Sequence, residues 1–233
     1  MDLEVHEVSE LMDVPENVLI EWVEDGDLPA YYMDNRYRFN RQEIEAWLMR
    51  KKANHLEHDE KKSGTKKPSC RKKGVHRFNF FRALCKGDVF CDIEGKTKDA
   101  VISSVISRLA PKLQLDSDVL YEAFLERERL LPTSLGNGVA IPHARDLLLN
   151  GRKDFIAVVF LNEAIPYESL DGKDVDTLFF LLASDDRNHL GLLSKIAHFA
   201  KCPDARSILT RKPQKEVLLE HVKNWEMEMS LAC

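Results

Sequence analysis

The chain has 233 residues, of which 44% are hydrophobic and 31% charged, with a formal net charge of −5. This is the composition of an ordinary folded protein of one or two domains, not of a disordered or fibrous chain. The longest apolar runs, Phe155 to Leu161 and Leu178 to Ala183, fall far short of the roughly 20 residues that a membrane helix needs, and the acidic opening from Met1 to Asp25 does not read as a secretory leader. No membrane insertion and a cytoplasmic setting are expected. The five cysteines include no C-x-x-C pair, so neither a disulfide framework nor a zinc module is signalled.

In chain order, Val5, Val8 and Met12 lie on one face of a first helix, and Pro15 opens a second with Val18 and Trp22 that closes at Gly26. Tyr31 to Met33, a turn at Asp34-Asn35 and Arg36 to Phe39 predict a two-stranded hairpin. Asn40 with Glu43 has the form of a capping box for a third helix, whose Ile44, Trp47 and Leu48 share a face. A helix pair, a hairpin wing and a further helix make a winged helix-turn-helix. The run Val8-Ser9-Glu10-Leu11-Met12-Asp13-Val14-Pro15, with Trp22, Gly26-Asp27-Leu28-Pro29-Ala30, Arg36-Tyr37-Arg38-Phe39 and Glu43 to Leu48, resembles the excisionase-type, MerR-like DNA-binding domain. That resemblance implies a second helix in the major groove and a wing on the backbone. Yet residues 15–25 carry Glu16, Glu21, Glu24 and Asp25 with no lysine or arginine, whereas phosphate neutralisation supplies most nonspecific DNA affinity. Arg36, Arg38 and Arg41 are the candidate DNA contacts. A protein-binding or autoregulatory use of the same fold stands beside that reading.

Charge marks the next boundary. Residues 1–50 hold 13 acids and 4 bases, whereas residues 51–77 hold 3 acids and 10 bases. The basic stretch lacks apolar periodicity and contains Ser63, Gly64, Pro68 and Ser69, so it predicts a flexible linker. It separates a domain at 1–50 from one at 78–233.

In the second domain, Thr97 caps a helix with Val101, Val105, Leu109 and Leu113 at four-residue intervals. Ser117 or Asp118 opens another that runs through Leu120 and Phe124 toward Arg129. Val139 to Pro142, Phe155 to Leu161 and Thr177 to Ala183 are apolar runs of strand length, with a turn at Asp171-Gly172. A helix from Asp185 or Asp186 carries Leu190, Leu193, Ala197 and Ala200, and a last one covers about 214–225. The alternation predicts an α/β fold, a mixed sheet flanked by helices.

The chemistry concentrates in Gly136-Asn137-Gly138-Val139-Ala140-Ile141-Pro142-His143-Ala144-Arg145. The glycines permit a sharp turn, Pro142 restricts the residue before it, and His143 follows on the loop after a strand. A neutral imidazole there can act as a nucleophile while arginines hold an anion beside it, which suits transient capture of a phosphoryl group. Arg145, Arg127 and the Thr133 hydroxyl are the candidate donors. Taken by itself, a lone histidine is more commonly structural than reactive. However, Glu126-Arg127-Glu128, Thr133, the segment 136–145 and His189-Leu190 together resemble the fructose/mannitol-type IIA domain of the bacterial phosphotransferase system, over about residues 90–230.

That resemblance implies that His143 receives phosphate from the phosphohistidine of an HPr-like carrier. It also implies that Arg127 steadies the phosphoryl group and that His189 lies beside the reacting ring. A IIA domain joined to a helix-turn-helix looks more like the nitrogen-regulatory branch, in which phosphorylation state controls protein binding. Two other outputs remain: a sugar-uptake IIA component that passes phosphate to a IIB domain, and a DNA-binding transcriptional regulator controlled by IIA phosphorylation. All three require the His143 ring to lie in a recess that a docking protein can reach. No cofactor motif or metal-ligand spacing is present, so neither is expected. The regulated partner, the donor and the oligomeric state are left open.

Overall fold

The structure, a computed structural model, describes residues 2–12, 14–24, 26, 28–33, 36–54, 78–144, 149 and 153–231. The first domain comprises β1 (Asp2–Glu4), α1 (Val5–Met12), α2 (Glu16–Glu24), β2 (Tyr31–Met33), β3 (Arg36–Asn40) and α3 (Arg41–Asn54). Its three strands form an antiparallel sheet in the order β1-β3-β2, with Leu3 opposite Phe39. The helices and the hairpin match the sequence expectation; β1, three residues long, carries too short a pattern to read. Val8, Leu19, Leu28, Phe39, Ile44 and Trp47 are buried, and Trp22 stacks at a tilt on Trp47 with ring centroids 5.4 Å apart. The capping box is only half made. Asn40 Oδ1 accepts from the Gln42 amide at 2.9 Å, but Glu43 is drawn away by the Tyr31 hydroxyl, which donates to its carboxylate at 2.5 Å. The expected linker starts later than its charge suggested, because α3 continues to Asn54; residues 55–77 lie outside the described residues.

The second domain comprises α4 (Asn79–Lys86), β4 (Val89–Phe90), α5 (Lys98–Leu113), α6 (Ser117–Leu130), β5 (Ser134–Gly136), β6 (Val139–Ala140), β7 (Phe155–Ile165), β8 (Val175–Leu182), α7 (Asp186–Lys201), α8 (Pro203–Thr210) and α9 (Lys215–Leu231). Five strands form a mixed sheet in the order β4-β7-β8-β6-β5, parallel at β4-β7 and β6-β8 and antiparallel elsewhere. Helices cover both of its faces, which is why β7 and β8 read as unbroken apolar runs without alternation. Ile156, Val158, Phe160, Phe179 and Leu181 face the layer of α4, α7, α8 and α9. Phe155, Ala157, Val159, Leu161, Leu178 and Phe180 face α5 and α6.

Local signals set the helix starts. Thr97 Oγ1 accepts from the Ala100 amide, Asp116 from those of Asp118 and Val119, and Asp185 from that of Asn188, each meeting a donor that the helix leaves unpaired. Gly87, after α4, is required by packing: a Cβ there would lie 1.7 Å from the Ile156 carbonyl oxygen of β7.

The two domains are packed together. α1 lies along α7, and α3 lies against both β5 and α7. The buried residues of the first domain are continuous with the α7 face of the sheet. This contact places α3 over the segment that carries His143.

Candidate functional site

Gly136, Asn137 and Gly138 all have positive φ, at 80°, 54° and 79°, so two of the three turn positions need glycine for conformational reasons. The turn is held by Asp171, whose carboxylate accepts from the Asn137 amide at 2.6 Å. From it β6 runs beside β8, and the pairing extends past its end: Leu181 N donates to Pro142 O at 3.0 Å, and His143 forms a parallel bridge with Leu181. His143 therefore sits on a strand extension rather than on the free loop that the sequence suggested. Its side chain points to the α7 face of the sheet.

The hydrogen bonds of the ring define its tautomer. Nδ1 lies 2.8 Å from the Ile141 carbonyl oxygen, which can only accept, so Nδ1 carries the proton. Nε2 is then a lone-pair acceptor and receives the Arg127 Nε–H at 3.0 Å. The nucleophilic nitrogen is thus fixed as Nε2.

Arg127 occupies the last turn of α6 and is buried, with its Nη1 donating to Leu131 O at 2.8 Å. Next to it in the chain, buried Glu128 accepts from both the amide and the hydroxyl of Thr133, at 3.0 and 2.6 Å. Thr133 is therefore committed to fixing the α6–β5 connection. The Ile141 amide donates to its carbonyl at 3.0 Å, so Thr133 supports the His143 strand from beneath.

His189, in the first turn of α7, packs edge-on against His143 with ring centroids 5.0 Å apart. Its Nε2 is buried without a hydrogen bond among the described residues. Burial first, then the neighbouring His143 ring and the Arg41 and Arg127 guanidiniums, against the pull of Glu45, push the ring down to about 3, so it is neutral across the physiological range.

The first domain supplies a residue that sequence reasoning did not single out. Glu45 of α3 is 3% exposed, and its carboxylate lies 3.8 Å from His143 Nε2, 3.8 Å from Arg127 Nε and 3.6 Å from His189 Nε2. Burial alone would raise its pKa, but the adjacent His143 and His189 rings and the Arg41 guanidinium hold the carboxyl down at about 2. Arg41 anchors the placement: its Nε bonds Glu45 at 3.2 Å, and its Nη1 pairs with Asp186 of α7 across the domain boundary. The available signal was weak: an acid beside Ile44 on a buried arc, one turn after an arginine.

Glu45, His143 and His189 bring potential metal-ligand atoms within 4.8 Å of one another. Arg127 already donates to the Nε2 that a cation would need, and its fixed positive charge faces the same space. The arrangement favours an anion.

The expected open recess is not found in this conformation, since His143 is fully buried. Glu45 of the first domain covers it, with the Arg127 guanidinium beside both. Arg145 lies outside the described residues. Of the candidate DNA contacts, Arg36 and Arg38 lie on β3 near Glu4, at 3.9 and 2.7 Å, whereas Arg41 faces α7.

Comparisons with known proteins converge on this architecture. Residues 83–225 match the family described as phosphoenolpyruvate-dependent sugar phosphotransferase system, EIIA 2, and residues 3–52 match a helix-turn-helix domain family. A nitrogen regulatory protein of Pseudomonas aeruginosa is 33% identical over 142 residues, covering 60% of this chain and 91% of that protein. The corresponding Escherichia coli protein is 40% identical over 96 residues, covering 40% of this chain and 58% of its own length. The crystal structure of nitrogen regulatory protein IIA-Ntr from Neisseria meningitidis superposes with a TM-score of 0.53 at 27% identity, covering 60% of this chain and 94% of that one.

Proposed function

Because the chain belongs to the EIIA 2 family of the phosphoenolpyruvate-dependent sugar phosphotransferase system, we propose that it is a regulatory phosphocarrier that accepts a phosphoryl group on His143 Nε2 from an HPr-like phosphohistidine protein. The observation that carries this reading is the tautomer: Nδ1–H is held by Ile141 O and Nε2 presents its lone pair beside the buried guanidinium of Arg127. Transfer between two imidazoles needs alignment and charge stabilisation more than covalent help. The Nε2 lone pair forms the new P–N bond as the carrier's P–N bond breaks, and the electron pair returns to the carrier's ring. The proton stays on Nδ1 throughout, hydrogen-bonded to Ile141 O. Arg127 moves from the lone pair to a phosphoryl oxygen, while neutral His189 adds no repulsion to an incoming carrier.

The same reading divides the chain into a winged helix-turn-helix domain at 1–50, a basic segment at 51–77 whose first four residues continue α3, and a phosphoryl-accepting domain at 78–233. Phosphorylation state then controls the binding of another protein. The helix-turn-helix module and the nitrogen regulatory relatives support this over sugar uptake, which would need a IIB recipient. An acidic α2, and an Arg41 committed to Asp186, favour protein contact over DNA for the first domain. No described helix is long and apolar enough to cross a membrane.

Incubation with phosphoenolpyruvate, the general phosphotransferase enzyme and an HPr-type carrier should give acid-labile, base-stable label that is lost in His143→Ala. Label that persists in His143→Ala would overturn the assignment. Removal of the label by a IIB domain encoded in the same genome would favour the sugar-uptake reading.

A further inference from the structure

We propose that Glu45 is an internal stand-in for the phosphoryl group, so that the helix-turn-helix domain and the phosphoryl-donating carrier compete for one surface and phosphorylation of His143 expels the domain. The inference rests on His143 being the phosphoacceptor. Three independent contacts support it. The Glu45 carboxylate lies within 4 Å of all three groups that would receive a phosphoryl group: His143 Nε2, Arg127 Nε and His189 Nε2. The His143 ring is fully covered, and α3 is packed on β5 and α7, where a carrier would have to seat. A second ion pair, Arg41 with Asp186, ties the same helix to the start of α7.

The carboxylate and a phosphoryl group are alternatives on steric and electrostatic grounds. A phosphorus atom with three oxygens cannot be built on Nε2 while a carboxylate oxygen remains 3.8 Å from it. Both are anionic and both call on the same guanidinium, so the domain is held while His143 is free and repelled once the P–N bond has formed. Because the domain is tethered to its own site, it competes at high effective concentration even if each contact is weak. The unmodified protein is therefore closed, and modification exposes both α3 and the site. The outer contacts of the site act on opening, while Arg127 acts on the chemistry.

The experiment compares the full chain with Glu45→Gln and with Asp186→Asn, which alters none of Glu45, Arg127, His143 and His189. Labelling by a phosphorylated HPr-type carrier and by phosphoramidate, a small donor that needs no docking surface, is followed over time. Hydrogen exchange is read for α3 and for residues 186–193. Both variants are expected to be labelled at least tenfold faster by the carrier and to lose protection in both segments before any phosphoryl donor is added. Stoichiometric phosphorylation of the unaltered chain should remove the same protection. Equal labelling rates in all three proteins, or unchanged protection in the phosphorylated chain, would overturn the competition while leaving His143 as acceptor. No label in any of the three from either donor would overturn both readings.

Discussion

Glu45 Oε2 and His143 Nε2 lie 3.8 Å apart although they belong to different domains, and they are joined by a shared neighbour, Arg127, that each of them approaches. The guanidinium serves the Nε2 lone pair here, and on the proposed reading it turns to an anion once His143 is modified.

Arg127→Ala should slow phosphoryl transfer to His143 by about a hundredfold or more, the cost typical of losing one preorganised donor from a reacting centre. Arg127→Lys should recover little, because an ammonium lacks the planar fork that reaches both His143 Nε2 and Leu131 O. Initial rates of label uptake from a phosphorylated carrier measure both. Uptake by Arg127→Ala at the unaltered rate would remove the residue from the mechanism.

Stability should fall as the solution is acidified from about pH 6.5. In the unfolded chain His189 titrates near 6.5, whereas burial in the folded chain pushes it to about 3. Below pH 6.5 the unfolded state binds a proton that the folded state refuses, so stability is fully present above that value and is lost downward at up to about 1.4 kcal/mol per pH unit. Glu45 acts in the same direction but in a lower window, from its ordinary 4.5 to about 2. Urea midpoints measured at pH 7, 6 and 5 therefore isolate His189, and His189→Gln should flatten the trend. An equally steep trend in that variant would assign the slope to another group.

Gly87→Ala should be severely destabilising. The added methyl would sit 1.7 Å from the Ile156 carbonyl oxygen, and that oxygen belongs to a backbone held on both sides by its neighbours in the sheet. Either α4 must lift or β7 must bend. Thermal unfolding followed by circular dichroism should show a large drop in Tm, and a loss no greater than that of an exposed glycine-to-alanine change would contradict the packing described.

Glu226→Ala should be destabilising by less than the roughly 3–5 kcal/mol of a fully buried ion pair, because the Lys195 it leaves behind is 30% exposed. Its carboxylate accepts from Lys195 Nζ at 2.5 Å and from the Phe81 amide at 2.9 Å, so it ties α9 to α7 and caps α4. Denaturant titration provides the value. Glu226→Gln should retain part of the amide cap and lose less.

Much of this was legible in sequence, and the gaps have physical causes. Val101, Val105 and Leu109 announced α5 because one helical face is buried, and Thr97 announced its start. The His143 segment was readable because its glycines, proline and histidine occur within ten residues. α4 and α8 were missed: neither starts at a residue whose side chain caps it, Phe78 and Cys202 standing at those positions. Glu45 was invisible as a site residue because nothing local distinguishes it from the other acids of the first domain. Its role comes from a fold in which α3 crosses to β5, and burial by a distant segment leaves no periodic mark.

The anchoring of His143 on a strand extension, with Nδ1 held by its own chain and the backbone bonded to Leu181, leaves Nε2 as the ring nitrogen that can form a new bond, on the side where Glu45 lies. On the proposed reading, a phosphoryl group arrives and departs on that one side of the ring. On the same reading, the carrier and the protein's own first domain take turns at that nitrogen, since Glu45 already occupies its approach.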